Sequence, residues 1–391
     1  MQLLKMILSG IKKTKNILII LMMIGMLTAL WRAGGTIPMI IYSTIRLIHP
    51  NTVLLMVFLL NCCVSLLTGT AFGTAATMGV IGMTMATSLN INPVLTGGAI
   101  LSGVFFGDRC SPVSTSALLI SELTQTNIFV NIKKMLRSAL LPFILTCAIY
   151  AVVGLLFDSA DELTDLCHLF AGEFNLHWSV LLPALAILLL SVFKINVKIT
   201  MLVSIVSAFF ICLVIQRMEL SEITKALVFG YSANAPAVGA MLNGGGIISM
   251  LRVMAIIAIS SAYAGIFQET GLLRPIKKLI VATNGKITAY GGTLFTSIVI
   301  SVVACNQTLT IMLTHQLNNE IVGDSQKLAI DLEDTAVVIA PLVPWSIAGA
   351  VPLATVGAPT ASLLAACFLY LVPVFRLSGS LLSKNRQAQQ R

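Results

Sequence analysis

Residues 103–119, GVFFGDRCSPVSTSALL, set Asp108, Arg109, Ser111, Pro112, Ser114, Thr115 and Ser116 inside an otherwise apolar stretch. If that stretch crosses a bilayer, its charge costs about 2.5–3.5 kcal/mol even on insertion scales, so the group faces a cavity, a partner or an ion. Arg109 could pair with Asp108 or snorkel toward the surface. The hydroxyls, and carbonyls freed by the proline, offer further oxygens. Carboxylate, hydroxyl and carbonyl oxygens together make a hard-cation site suited to Na+. A desolvated carboxylate can also take a proton. One group serving two mutually exclusive cations is the minimum an antiporter requires. The plainer alternative is that Asp108 caps a helix or neutralises Arg109.

A second acid-bearing break, DLEDTAVVIAP at 331–341, carries Glu333 and Asp334. Adjacent residues cannot share one helical face, so one acid, Asp334, is expected to point inward beside Thr335. Capping the next helix is the competing reading. Asn306, Gln307 and Thr308 follow a long apolar run, where amides and hydroxyls either ligate an ion or hold helices together. Thr70 and Thr74, in TGTAFGT, carry the same ambiguity. Trp345, in PLVPWS, lines a cavity or anchors at the interface. His49, His168 and His177 read as loop or interface residues. His315 alone is near a candidate site, where a proton shuttle is conceivable. Glu269 reads as the end of a span.

These groups need elements to position them. Of 391 residues, 57% are hydrophobic and only 10% charged, against about 25% charged in soluble domains. Mean hydropathy is +0.96. Apolar segments fall near 17–31, 52–67, 72–89, 94–106, 138–157, 178–193, 199–215, 247–267, 287–304, 335–350 and 353–375. The expectation is an all-α polytopic membrane protein with about 9–11 transmembrane helices. The net charge of +9 is spread through short loops, as in cytoplasmic loops of membrane proteins; nucleic-acid binding is not expected. Eight cysteines form no CxxC pair or Cys/His cluster, and no hydrolase triad or Walker sequence is present. Neither an enzyme nor a cofactor is expected. The partners expected are the bilayer, small inorganic cations, and a small organic anion or amino acid as the alternative cargo; a homodimer is left open.

Lys5, Lys12, Lys13 and Lys15 put the N-terminus on the cytoplasmic side, with the first apolar stretch retained as a span rather than cleaved as a signal. Lys133, Lys134 and Arg137, then Lys194 and Lys198, then the four basic residues of 274–286 mark further cytoplasmic loops. The loop 158–177, with five acids and no Lys or Arg, faces outside. Gly, Pro and hydroxyl residues interrupt the segments at 66–84, 105–119, 232–246, 302–318 and 331–359. In lipid such breaks are tolerated only against protein or a watery cavity, so discontinuous or re-entrant helices are expected, as in secondary transporters. TGTAFGT before GDRCSP in the first half parallels ACNQT before LEDTAVVIAP in the second, suggesting inverted repeats. The corresponding division is an N-terminal span and link at 1–50, a first repeat half at 51–157, a linker and connecting spans at 158–230, a second repeat half at 231–375 and a basic tail at 376–391.

GDRCSPVSTSALL resembles the Gly-Asp-x-x-Ser-Pro-x-Ser-Asp-Thr signature of NhaC-type sodium/proton antiporters. LEDTAVVIAPLVPWSIAGA resembles that family's Leu-Glu-Asp followed by Pro-Leu-x-Pro-Trp, and TGTAFGT its Gly-Thr-Ser-Trp-Gly-Thr break. The likeness extends over nearly the whole chain. By position, Asp108, Ser111 and Ser114 match the first motif, Glu333, Asp334, Pro341, Pro344 and Trp345 the second, and Thr70 and Thr74 the third. Thr115 stands where the family has a second Asp, Ser116 where it has Thr, and Ala71 and Phe72 where it has Ser and Trp. The chain is short by about two N-terminal spans. The resemblance implies inverted repeats, re-entrant hairpins and Na+/H+ exchange; some relatives exchange organic acids or amino acids together with Na+ and H+. The site set expected is Asp108, Ser111, Ser114, Thr115, Thr70, Thr74, Asn306, Thr308, Asp334 and Trp345, with Asp108 and Asp334 holding Na+ transiently, in a cell-membrane protein.

Overall fold

Several breaks in the helical pattern fall where a side chain can satisfy a free backbone N–H. The computed structural model describes residues 2–47, 50–112, 114–156, 172–193, 195–233, 238–239, 242–251, 254–255, 258–259, 262 and 288–389. Most of the acidic loop 158–177, the basic segment 274–286 and Glu269 lie outside these. The named helices are α1 (Gln2–Ala33), α2 (Thr36–Leu47), α3 (Pro50–Thr68), α4 (Ala71–Thr74), α5 (Val80–Ser88), α6 (Pro93–Cys110), α7 (Thr115–Leu123), α8 (Ile128–Gly154), α9 (Leu182–Val192), α10 (Val197–Val214), α11 (Leu220–Phe229), α12 (Ala289–Ala304), α13 (Gln307–Val322), α14 (Ser325–Glu333), α15 (Ala336–Ile339), α16 (Ile347–Thr355) and α17 (Cys367–Gln389). No strand occurs among the described residues; Tyr231 and Gly244 form an isolated bridge.

Asn92 starts α6 by accepting from Val94 N at 2.8 Å. Pro93 follows at the first helical position, where its missing N–H is not needed. Asn127 and Asp324 start α8 and α14 in the same way. Cys305, with φ 54°, ends α12 in the left-handed conformation, and Asn306 at once caps α13.

Helix α6 is the buried axis: every residue from Thr96 to Cys110 is buried. It packs against α3, α5, α8, α17 and the 3₁₀ turn Thr360–Ala365. Small residues allow the close approach. A methyl group on Gly107 would stand 2.2 Å from Ser65 Cβ, and one on Gly103 2.7 Å from Asn61 Cβ. Ser65 Oγ reaches across to donate to the Val104 carbonyl at 2.6 Å. By contrast α8 turns Leu136, Leu140 and Ile144 outward. Those residues recur every four positions, the pattern of a stripe on one helix face.

Several expected spans are broken. The 72–89 segment becomes α4, a π turn at Ala75–Gly79 and α5. The 335–350 segment is interrupted after Leu342, and Ser325–Leu342 meets Ile347–Thr355 at a 58° bend. The 353–375 segment divides between the end of α16, the Thr360–Ala365 turn and α17. Prolines contribute, since Pro341, Pro344 and Pro359 lie at these interruptions. Ile128–Gly154, at 27 residues, is the one described helix long and apolar enough to cross a membrane by itself; Leu18–Ala33, Asn51–Leu66, Lys198–Val214, Ala289–Ala304 and Cys367–Leu382 are shorter apolar helices.

Candidate functional site

Asp108 lies two residues before the end of α6 and is 3% exposed. The chain turns there through Ser111 and Ser114 and starts α7, so the carboxylate faces the N-terminal residues of the next helix. Ser114 Oγ donates to Asp108 Oδ1 at 2.9 Å, and Ser116 Oγ to Oδ2 at 3.1 Å. The two hydroxyls are 2.8 Å apart. Gln307, the first residue of α13, donates from Nε2 to Asp108 Oδ2 at 3.1 Å and to the Val337 carbonyl at 3.3 Å. Two helix breaks distant in sequence thus meet at one carboxylate. A third is tied to them: Ile347 N donates to the Cys305 carbonyl at 3.0 Å, and Trp345 Nε1 to the Val302 carbonyl at 3.0 Å.

Arg109, fully buried, neither pairs with Asp108 nor reaches the surface, the two courses its sequence position suggested. Its Nη2 forms an ion pair with Asp334 Oδ1 and donates to Ser138 Oγ at 2.8 Å, while Nη1 donates to the Met135 carbonyl at 3.1 Å. Arg376 Nε lies 2.7 Å from Asp334 Oδ2 as an ion pair rather than an aligned hydrogen bond, and its Nη2 lies 3.0 Å from Asp331 Oδ1. The Arg376 guanidinium sits 5.5 Å from the Tyr290 ring centre, and Tyr290 donates its hydroxyl to the Asp334 carbonyl at 3.1 Å. Glu333 is buried within electrostatic reach of Arg109, Asp108 and Asp334. Neither of its carboxylate oxygens has a hydrogen-bond partner among the described residues. Buried Arg109 and the four buried acids Asp108, Asp331, Glu333 and Asp334, with half-exposed Arg376 at the edge, therefore form one charged system.

The other expected site residues are spread around this centre. Ser111 Oγ donates to the Leu66 carbonyl at 2.7 Å. Thr115 and Thr308 are exposed, near the starts of α7 and α13. Asn306 Oδ1 is used as a cap, accepting from Leu309 N at 3.4 Å. Thr74 Oγ1 donates to the Thr70 carbonyl at 2.8 Å, on a helix packed against α3 and α6; Thr70 Oγ1 is enclosed without a partner among the described residues. Trp345 is 46% exposed. Asp334, read from sequence as sharing a cation with Asp108, turns its two oxygens to guanidinium groups instead. His315 lies farther along α13, its Nε2 without a partner among the described residues. No group of three or more His, Cys, Asp or Glu residues is arranged to hold a metal among the described residues.

The sequence profile of the Na+/H+ antiporter family matches residues 2–122 and 103–378. The chain belongs to that family. It is 30% identical over 371 residues to an uncharacterized Na+/H+ antiporter of Haemophilus influenzae, covering 90% of this chain and 79% of that protein. It is 28% identical to the malate-2H+/Na+-lactate antiporter of Bacillus subtilis, covering 94% and 81%. The Na+/H+ antiporter NhaC of Alkalihalophilus pseudofirmus is 25% identical, covering 93% and 81%. Membership in this antiporter family makes the chain a polytopic membrane protein and a transporter rather than an enzyme.

Within this family member, two residues that complete the site act across long separations in sequence. Locally, Gln307 is one of a polar cluster and Arg376 the first residue of the basic tail. The signal for Arg376 was present: a lone arginine in LYLVPVFRLSG, inside an apolar run, the situation in which a charge requires a partner.

Proposed function

We propose that this protein exchanges Na+ for H+ by alternating access, with Asp108 as the group that carries either cation. The observation that supports this most directly is the direction of Arg109. Because its guanidinium is committed to Asp334, it does not neutralise the neighbouring carboxylate, which is surrounded instead by neutral donors from Ser114, Ser116 and Gln307. A hydroxyl can rotate its hydrogen away and turn a lone pair to a metal ion, and an amide can present its oxygen instead of its nitrogen. The same shell can therefore hold the bare carboxylate by donation, or help an oxygen-coordinated Na+ against it. A proton on Asp108 removes the charge that attracts Na+, which makes the two cargos exclusive. In this reading the two helix-break systems belong to the two repeat halves, and the N-terminus is cytoplasmic.

A second reading, coupled exchange of an organic acid or amino acid, is favoured by two observations. Thr115 replaces the second acid of the motif, and a relative is named as a malate-2H+/Na+-lactate antiporter. Proteoliposomes holding a pH-sensitive dye separate the readings. Proton movement on addition of Na+ alone supports the first; movement that requires an added organic acid or amino acid supports the second. Asp108→Asn is expected to lower Na+-driven proton movement at least 100-fold while the protein still inserts. Wild-type rates in that variant would remove Asp108 from the mechanism.

A further inference from the structure

Beyond the exchange at Asp108, and independently of it, we propose that a cavity lined by Arg32 binds a small carboxylate that also carries a hydrogen-bond donor, that is, a hydroxy acid or an amino acid. The cavity has a volume of about 490 Å³ and lies where the ends of α1, α5 and α16 meet the start of α6 and the glycine turn at 243–246. Small-molecule sites measure about 300–1,000 Å³. Pro93 borders the cavity, and fifteen helical residues separate it from Asp108, about 22 Å along α6. The cavity is thus a separate place from the Asp108 shell.

Arg32 supplies the charge. Its Nη1 donates to the Leu242 carbonyl at 3.2 Å and to the Asn243 carbonyl. No carboxylate pairs with it among the described residues, in contrast to Arg109 and Arg376, each of which is paired with an acid. Its Nε and Nη2 have no protein partner there, and that edge of a guanidinium matches a carboxylate with two parallel hydrogen bonds.

The hydroxyls of the wall define the rest of the ligand. Thr28, Thr84, Thr87 and Thr355 each donate to the carbonyl four residues earlier in their own helix, at 2.7 to 2.9 Å, and Ser249 donates to the Gly246 carbonyl at 2.7 Å. With their hydrogens committed to carbonyls, the hydroxyls of these lining residues can accept from a ligand but donate to one only by giving up those bonds. A simple fatty acid would leave them unmet. A hydroxyl or ammonium group beside the carboxylate satisfies them.

A second cavity, of about 540 Å³, is also positively lined, with Lys134, Arg137, Lys327 and Arg376 against Asp324. Walls of that sign draw anions and repel free cations, so neither cavity has the lining expected of a passage for Na+ alone.

The test uses the purified full-length chain in detergent, titrated calorimetrically at constant Na+ and ionic strength. The probes are glycerate and serine, each applied separately, with propionate lacking the donors and glyceramide lacking the charge. Saturable binding of glycerate or serine is expected, at least tenfold tighter than propionate, with no binding of glyceramide. Arg32→Gln should weaken the bound probe at least tenfold, and Thr84→Val to a smaller extent. If neither glycerate nor serine binds the wild-type protein, or glyceramide binds as well, the proposal is overturned whatever the variants do. Undiminished binding in a folded Arg32→Gln protein overturns it too. Na+/H+ exchange that persists without any carboxylate binding would sink this inference together with the second reading and leave the first; bound glycerate in a protein with no Na+-driven exchange would sink only the first reading.

Discussion

The division of labour between Asp108 and Arg109 shows how one residue's partner decides its neighbour's chemistry. Side by side in sequence, the pair looks self-neutralising. On the helix, consecutive side chains diverge by about 100°, so the arginine faces α8 and α14 while the acid faces α7 and α13. Removing one member of a buried ion pair strands the other and costs about 3–5 kcal/mol. Arg109→Gln and Asp334→Asn should therefore each lower the thermal unfolding temperature in detergent markedly. The double variant should recover part of the loss, because two neutral amides can bond each other. Strictly additive losses in that cycle would mean the two groups do not interact. The carboxylate at 108 was legible in the sequence because a charge in an apolar run demands an explanation. Its shell was half legible: Ser114 and Ser116 are near neighbours, whereas nothing local marks Gln307, 199 residues away, as the third donor.

At the scale of elements, local signals located the breaks better than the spans. The turn at Ser111–Pro112 follows from proline's demand on its predecessor, whereas the caps at Asn92 and Asp324 emerge only in the structure. What the apolar runs concealed was their subdivision, since Leu, Val and Ala fill a π turn, a 3₁₀ turn or a helix equally well. The contact of α3 with α6 was also concealed, because glycine announces a close approach without naming the partner. That contact places Asp108, and it is tight enough to test. Gly107→Ala puts a methyl 2.2 Å from Ser65 Cβ, so α6 must shift; overpacking of this kind costs about 1–3 kcal/mol. Exchange in proteoliposomes should fall at least tenfold with a lower unfolding temperature. Gly379→Ala, at an exposed position of α17 with nothing within 4 Å, is the control and should be neutral or slightly stabilising. Equal behaviour of the two variants would show that the α3–α6 approach does not set the site.

For the whole molecule, the question is which contacts must open during transport. Arg109 joins the end of α6 to α8 and α14, at a separation of 225 residues from Asp334. Ser138 Oγ supports the same carboxylate at 3.3 Å, and Gln326 Nε2 donates to Asn131 Oδ1 across α8 and α14. Parting these helices would leave the buried Arg109 unpaired and Asp334 with Arg376 alone, at a cost comparable to breaking such a pair by mutation. That is a large barrier for a step repeated in every cycle. The end of α6, α8 and α14 should therefore move as one body, and access should change by movement elsewhere, at the hydrogen bonds from uncharged donors around Asp108, each of which costs less to exchange than the buried ion pair. Asn131→Cys with Gln326→Cys, in a protein whose eight native cysteines are replaced, tests this with a short bifunctional thiol reagent. Cross-linking should be seen as a mobility shift on a gel, and exchange should stay within about twofold of the untreated double variant, because a rigid interface loses little freedom when tied. Loss of exchange on cross-linking, restored when a reducible reagent is cleaved, would show that the charged interface opens and that the cycle breaks the ion pair after all.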